Sequence, residues 1–324
     1  MLNIFAVTFP FFALVLAGYV AAHRRWLPLE AIPGLNGFVL YFALPCMLYR
    51  FGAGTPLDQL LDAKLLLGYF ICAFCMVVFT VAVSLNRRVR WNDAAFGALV
   101  AAFPNTGFMG VPLLVALLGT GVIGPAIITI VVDMLFTTSA CIALSRLDGA
   151  DEHGAATAAR NALKSVVSNP LPWAIVFGAL SSYLDYALMG PVGKTVDLLA
   201  DAASPVALFT IGAVLARSRW QVRESNHPPI LWRDFLPVVG YKLLLHPVLV
   251  LLVLSSLSQW GEPIDPLALT VVVLVAALPS ASNVAILTER FGADTGRVAQ
   301  IILYSTALAF ATFSASVALM TGRL

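Results

Sequence analysis

Residues 101–114 read AAFPNTGFMGVPLL, and residues 276–287 read AALPSASNVAIL. Each is an apolar stretch interrupted near its centre by a proline and small polar residues. The first interruption is Pro104, Asn105, Thr106 and Gly107; the second is Pro279, Ser280, Ser282 and Asn283. Proline has no amide hydrogen and clashes with the turn before it, so a helix through either stretch must kink or unwind. One such proline is an ordinary kink. Two in similar surroundings ask for a common explanation.

The surroundings are hydrocarbon. Of 324 residues, 60% are hydrophobic and only 11% charged, against about 25% charged in a water-soluble domain. Mean hydropathy is +0.91. A helical span needs roughly 20 apolar residues, and ten stretches of that kind can be drawn. They run over 3–22, 34–52, 63–85, 93–118, 122–145, 170–189, 196–216, 234–257, 266–290 and 294–321. Short connections remain, with no room for a sizeable soluble domain. The first stretch lacks a basic leader and is followed by His23-Arg24-Arg25, so it reads as a retained span. The net charge of +2 implies nothing about nucleic acid. Cys46, Cys72, Cys75 and Cys141 all lie inside apolar runs and read as buried small residues, not as a metal or redox site.

Basic residues orient the chain. Loops after odd-numbered stretches hold fourteen of them: Arg24, Arg25, Arg87, Arg88, Arg90, Arg146, Arg160, Lys164, Arg217, Arg219, Arg223, Arg233, Arg290 and Arg297. The opposite side holds four: Arg50, Lys64, Lys194 and Arg323. This bias puts the odd loops in the cytoplasm and both termini outside, in a bacterial inner membrane.

Ten spans with both termini outside divide into five and five, and two five-span copies must face opposite ways. Copies are visible. Ala43, Pro45, Leu48 and Gly52 of the second span recur as Ala203, Pro205, Leu208 and Gly212 in the seventh. Ala101-Ala102-Phe103-Pro104 of the fourth recurs as Ala276-Ala277-Leu278-Pro279 in the ninth. The expected fold is therefore an all-α membrane protein with ten transmembrane helices in two inverted five-helix repeats. Residues 1–145 form the first repeat, 146–169 a short cytoplasmic loop and 170–324 the second repeat. Broken backbone in hydrocarbon must be buried in protein or line a wet cavity. Breaks at corresponding places of inverted halves mark a carrier's binding site near the midplane.

At these motifs the chain resembles the auxin efflux carrier family, which includes the plant PIN carriers and many bacterial organic-anion carriers. The resemblance rests on Pro104-Asn105-Thr106, Met109-Gly110, Pro112-Leu113-Leu114 and Ala277-Leu278-Pro279, and it extends along the chain in span number and order. In overall look the chain is most similar to the malonate carriers that accompany bacterial malonate decarboxylase. The resemblance implies that helices 4 and 9 cross at Pro104 and Pro279. It implies a scaffold of spans one, two, six and seven and a moving domain of the rest, working as an elevator. It also implies that Asn105 helps to hold a substrate carboxylate; Ser280 follows the second proline, so either Ser280 or Ser282 takes the matching role.

Residue chemistry points the same way. A carboxylate leaving water needs replacement hydrogen bonds and positive potential, which free amides at the start of a half-helix supply. Gly107 and Ser282 mark such starts, with Asn105, Thr106 and Ser280 as side-chain donors. Lys242 lies nine residues past Arg233, roughly 13 Å into the eighth span. It is a candidate for substrate binding, with snorkelling to the cytoplasmic side as the alternative. Asp133, near the centre of the fifth span, is a candidate for holding H⁺ or Na⁺, with Lys242 as its candidate partner. His246 reads as a packing residue. Gln300 and Tyr304 share one face of the tenth span and are further candidates for a coupling role. No cofactor and no metal site is expected. A small carboxylate and the lipid bilayer are the expected partners, and a homodimer is left open. An intramembrane enzyme lacks its residues here: no serine stands in a protease motif near His246, and Asp133 has no second aspartate at its depth. A passive channel, or a carrier of an auxin-like monocarboxylate, is the remaining alternative.

Overall fold

The computed structural model describes residues 2–56, 62–146, 170–224, 231–260 and 263–322. Gly149, Ser225, Arg160, Lys164, Arg323 and most of the 146–169 loop lie outside the described residues. The described chain is helical: α1 (Leu2–His23), α2 (Leu29–Ala53), α3 (Ala63–Ser84), α4 (Trp91–Ala102), α5 (Thr106–Leu118) and α6 (Thr120–Ser145) in the first part. The second part holds α7 (Pro170–Tyr183), α8 (Gly190–Glu224), α9 (Trp232–Ser258), α10 (Pro266–Ala276), α11 (Val284–Phe291) and α12 (Thr295–Thr321). Seven of these, α1, α2, α3, α6, α8, α9 and α12, are long and apolar enough to cross a membrane unaided. The expected fourth and ninth spans are each two shorter helices, α4 with α5 and α10 with α11.

Helix ends follow the local sequence. Asp62 accepts from the amides of Lys64 and Leu65 at the start of α3. Asp265 accepts from Ala268 before α10, with Pro266 at the first helical position, and Asp294 accepts from Arg297 before α12. Each cap replaces a bond that an initial amide cannot make within the helix. Gly292 and Gly322 close α11 and α12 in the left-handed region, at φ +67° and +63°. Several ends differ from the sequence expectation. Lys194 lies inside α8, and Arg297, counted as a loop charge, is buried within the first turns of α12.

Four wider, π-type turns interrupt the helices, at Val39–Ala43, Thr106–Gly110, Asp133–Thr137 and Tyr241–Leu245. Three of them end two residues before a proline: Pro45, Pro112 and Pro247. The carbonyl four residues before a proline has lost its donor, and a wider turn lets it reach the next amide instead. At the fourth, Thr138 Oγ1 donates to the Asp133 carbonyl at 2.8 Å.

Packing forms two groups of helices. In one, α1 lies against α8, and α2 against α7 and α8. Both contacts are close because glycines meet. A Cβ on Gly18 would overlap the Phe209 carbonyl oxygen, and one on Gly212 the Val15 carbonyl oxygen. On the other pair, a Cβ on Gly178 would overlap the Tyr49 carbonyl oxygen, and one on Gly52 would stand 2.9 Å from that of Ile175. In the second group α3 packs on α4 and α9, α4 on α6, α9 on α10, and α12 on α9. Every residue from Ala94 to Ala102 of α4 is buried, as is every residue from Val271 to Ser280 along and beyond α10. The two interrupted segments are thus the most enclosed part of the molecule. Phe74, Phe79, Trp173, Phe177 and Leu252 point outward from α3, α7 and α9, as lipid contact requires.

Candidate functional site

Proline starts the site by forbidding a helix. At position 104 it removes the amide that the Val100 carbonyl would accept, and the chain leaves helical geometry over Phe103–Asn105. The second break, around Pro279, lies against the first. Residues Pro104 and Ser280 pair as a short antiparallel bridge. The Asn105 amide donates to the Pro279 carbonyl at 2.8 Å, and the Ala281 amide to the Phe103 carbonyl at 3.0 Å. Ser280 Oγ donates to the Val100 carbonyl at 2.7 Å, so it replaces the bond that Pro104 took away. The Ser280 amide in turn donates to Ser305 Oγ at 3.2 Å. The carbonyl that Pro104 frees is thus satisfied by the second break, while the Val275 carbonyl that Pro279 frees accepts from the Leu278 amide of its own segment at 3.1 Å.

Beside the bridge lies a small cavity of about 20 Å³. Asn105, Thr106, Gly107 and Phe108 line one side, Asn283 another, and Leu44, Leu48 and Leu171 close it from α2 and α7. Two polar atoms face this region without a hydrogen-bond partner: Thr106 Oγ1 and Asn283 Oδ1 are both buried and unpaired. Leaving a polar group buried and unpaired costs about 1–3 kcal/mol. The first turn of α5 adds the amides of Gly107 and Phe108, which have no carbonyl one turn back. Gly107 has room to spare, because a Cβ there would touch only a Leu44 methyl at 3.8 Å. The Thr106 hydroxyl and the helix start offer donors that suit a small anionic group, while Asn283 Oδ1 needs a donor such as water.

The sequence candidates divide on this geometry. Pro104, Asn105, Thr106, Gly107 and Pro279 come together at the bridge. Ser280 joins them, with its hydroxyl turned to Val100 and away from the cavity. Ser282 is not in the cavity lining; Asn283 stands there, one residue further on. Lys242 also lies elsewhere. Its side chain is fully buried, which rules out snorkelling in this conformation. Its Nζ donates to the Ala276 carbonyl at 2.7 Å and lies 3.1 Å from His246 Nδ1. Asp133 is equally buried and accepts from Tyr69 Oη at 2.9 Å and Thr137 Oγ1 at 3.0 Å. Lys242 and Asp133 form no direct ion pair among the described residues; Tyr69 and His246, with rings 6.1 Å apart, stand between them. Gln300 and Tyr304 are not in the cavity lining. Tyr304 is 41% exposed and stacks on Phe235 at 5.1 Å. Asp197 and Asp201 pair with Arg50, at 3.6 and 2.7 Å, in the N-terminal turns of α8.

Sequence reasoning did not assign Asn283, Tyr69, His246 or Arg297 to any site. A lone tyrosine in an apolar span was a usable signal, since a buried Tyr hydroxyl ordinarily finds a partner. Arg297 is 3% exposed and donates to the carbonyls of Asp93 and Asp234, both at 2.7 Å. It ties the starts of α4, α9 and α12 together.

Seven helices apolar and long enough to cross a membrane, with two paired breaks in the protein interior, are compatible with a membrane transporter. The comparisons agree: the chain belongs to the family described as "Membrane transport protein", matched over residues 4–317, the family of the auxin efflux carriers. It is 29% identical to a Rhizobium meliloti protein named "Putative malonate transporter", over 96% of this chain and 94% of that one. It is 27% identical to the "Uncharacterized transporter YfdV" of Escherichia coli, over 88% of each chain. An "Uncharacterized transporter" of Methanothermobacter thermautotrophicus is 26% identical over 91% of each.

Proposed function

We propose that this transporter is a secondary carrier of small organic anions, malonate-like carboxylates, and that it works by elevator-type alternating access. The observation that carries the reading is the pair of unpartnered atoms, Thr106 Oγ1 and Asn283 Oδ1, in a cavity at the meeting point of both breaks. One oxygen lacks a donor and one hydroxyl lacks an acceptor; a carboxylate with neighbouring water supplies both. The cavity holds about one water, so a dicarboxylate enters only when its apolar wall withdraws. That wall is Leu44, Leu48 and Leu171, on α2 and α7, the helices packed in the first group. Sliding the second group past the first opens the cavity without breaking the bridge, which lies wholly within the moving group.

The same reading keeps ten spans in two inverted repeats. Gly52 and Gly212, aligned in the sequence repeat, each make a close backbone contact, Gly52 with α7 beside Gly178 and Gly212 with α1 at Val15 and Tyr19. Those two contacts exchange under such a symmetry. The relative's printed name supports malonate as the first substrate to try. H⁺ or Na⁺ coupling belongs to the buried groups around Asp133 and Lys242 and not to Gln300 and Tyr304. Counterflow in proteoliposomes tests the function. Preloaded unlabelled malonate should drive saturable uptake of labelled malonate, whereas a channel would show linear flux and no counterflow.

Orientation is tested separately. Single cysteines replacing Gly149 and Ser225 should react only with reagents that reach the cytoplasm, and one replacing Gly190 should react with external reagents. External labelling at position 225 in intact cells would reverse the assignment of both termini to the outside.

A further inference from the structure

Behind the ninth-span break lies a buried cluster that the anion site does not use, and its hydrogen bonds raise a question of proton count. In an unbroken helix the Ala276 carbonyl would accept from the Ser280 amide. That amide is on Ser305 Oγ, and the Ala276 carbonyl takes Lys242 Nζ in its place, at 2.7 Å. The same Nζ stands 3.1 Å from His246 Nδ1, and His246 Nε2 is buried with no partner. Lysine and histidine are both fully enclosed.

Two proton arrangements fit this geometry. With an ammonium at Lys242, Nδ1 has to accept, and the ring proton sits on Nε2 as a buried, unpaired donor. With a neutral amine, the Nδ1 proton points to the amine lone pair and Nε2 is left bare, but Ala276 loses its charged donor. The arrangements differ by one proton, and each leaves a different group short. Such a site exchanges a proton instead of holding it permanently.

The surroundings supply the counter-charge. From α3 the couple is faced by Tyr69, and by Cys72, whose Sγ donates to the Leu249 carbonyl. From α6 comes Asp133, whose two oxygens accept hydroxyl bonds from Tyr69 and Thr137. Helix α10 presents only its carbonyl end. On α12, Tyr304 is stacked on Phe235, and Arg297 is held by the carbonyls of Asp93 in α4 and Asp234 in α9. Asp234 is eight residues before Lys242, about 12 Å along the helix. Asp133 is therefore the neighbouring acidic group able to supply a counter-charge to a proton here.

We infer that Lys242 and His246 form a proton-binding couple that latches the ninth-span break through the Ala276 carbonyl, and that release of its proton loosens this latch during transport. The proton site stands on its own geometry; only what the proton drives rests on the carrier reading. Two measurements separate them. In substrate-free protein in detergent with ¹⁵N-labelled histidine, the His246 ring, assigned among the four by its loss in His246→Gln, should change its nitrogen protonation between about pH 5 and 9. That signal should be missing in His246→Gln and altered in Lys242→Arg. In proteoliposomes with the membrane potential clamped, wild type should accumulate malonate about tenfold per unit of pH gradient, and both variants no more than about twofold. A His246 ring unchanged across the whole range overturns the proposal, as does wild-type accumulation in His246→Gln. A titrating His246 ring in a protein without malonate counterflow sustains the proton site and refutes the substrate reading.

Discussion

Asn105→Ala should raise the dissociation constant for malonate about tenfold or more, because a hydrogen bond to a charged group contributes roughly 1.5–3 kcal/mol. The residue lines the cavity at the meeting of the breaks, and its backbone, not its side chain, holds the bridge. Its removal should therefore cost binding and leave the fold intact. Asn105→Asp should weaken binding further, since a fixed negative charge would stand against the anion. Thr106→Val, which keeps the shape and deletes the hydroxyl, should behave like Asn105→Ala. Ser280→Ala makes the contrast. Its hydroxyl is committed to the Val100 carbonyl, so its loss should lower thermal stability with little change in affinity. Calorimetry on each folded variant in detergent reads all four. Wild-type affinity in both Asn105 variants would mean that the anion binds elsewhere, and the functional reading would fall with it.

Both breaks were legible in the sequence because proline acts through covalent structure, whatever packs around it. That they meet was implied by the resemblance alone; in the structure Pro104 pairs with Ser280. Side-chain directions at the breaks were not legible. Periodicity assigns faces only while a helix continues, and between Leu278 and Asn283 it does not. Ser280 consequently turns inward to Val100, and Asn283 reaches the cavity instead. Depth along a helix was also legible: Lys242 lies deep in α9, as counting from Arg233 implied. Its direction was not, because that depends on a carbonyl 34 residues later in the chain. Arg297 shows the limit of charge counting. It sits at the end of the chain's cytoplasmic loops as counted, yet it is enclosed by helix starts whose adjacency no single stretch of sequence reveals.

Gly212→Ala should destabilise the protein severely, by more than about 3 kcal/mol, the upper end of what inserted methyl groups usually cost. The new Cβ would overlap the Val15 carbonyl oxygen and stand 2.6 Å from the Tyr19 amide nitrogen. Both are backbone atoms of α1, so no rotamer change can relieve the contact; α1 and α8 must separate along their length. Gly18→Ala meets the Phe209 backbone in the same way and should be equally damaging. The second glycine contact is looser. Gly52→Ala would bring its Cβ within 2.9 Å of the Ile175 carbonyl oxygen, which a shift of a few tenths of an ångström relieves, so it should cost less. Gly68→Ala meets only a Leu254 methyl, which can turn aside, and Gly37→Ala meets nothing within 4 Å. The expected order of damage is therefore Gly212 and Gly18, then Gly52, then Gly68, with Gly37 close to wild type or slightly stabilised by its better helix propensity. Thermal unfolding in detergent and the yield of monodisperse protein measure that order. The position matters for function as well as for folding, because a moving group can be carried only past a partner that does not itself give way. A Gly212→Ala protein with wild-type unfolding temperature would show that α1 and α8 are not locked together, and the rigid half of the proposed elevator would be lost.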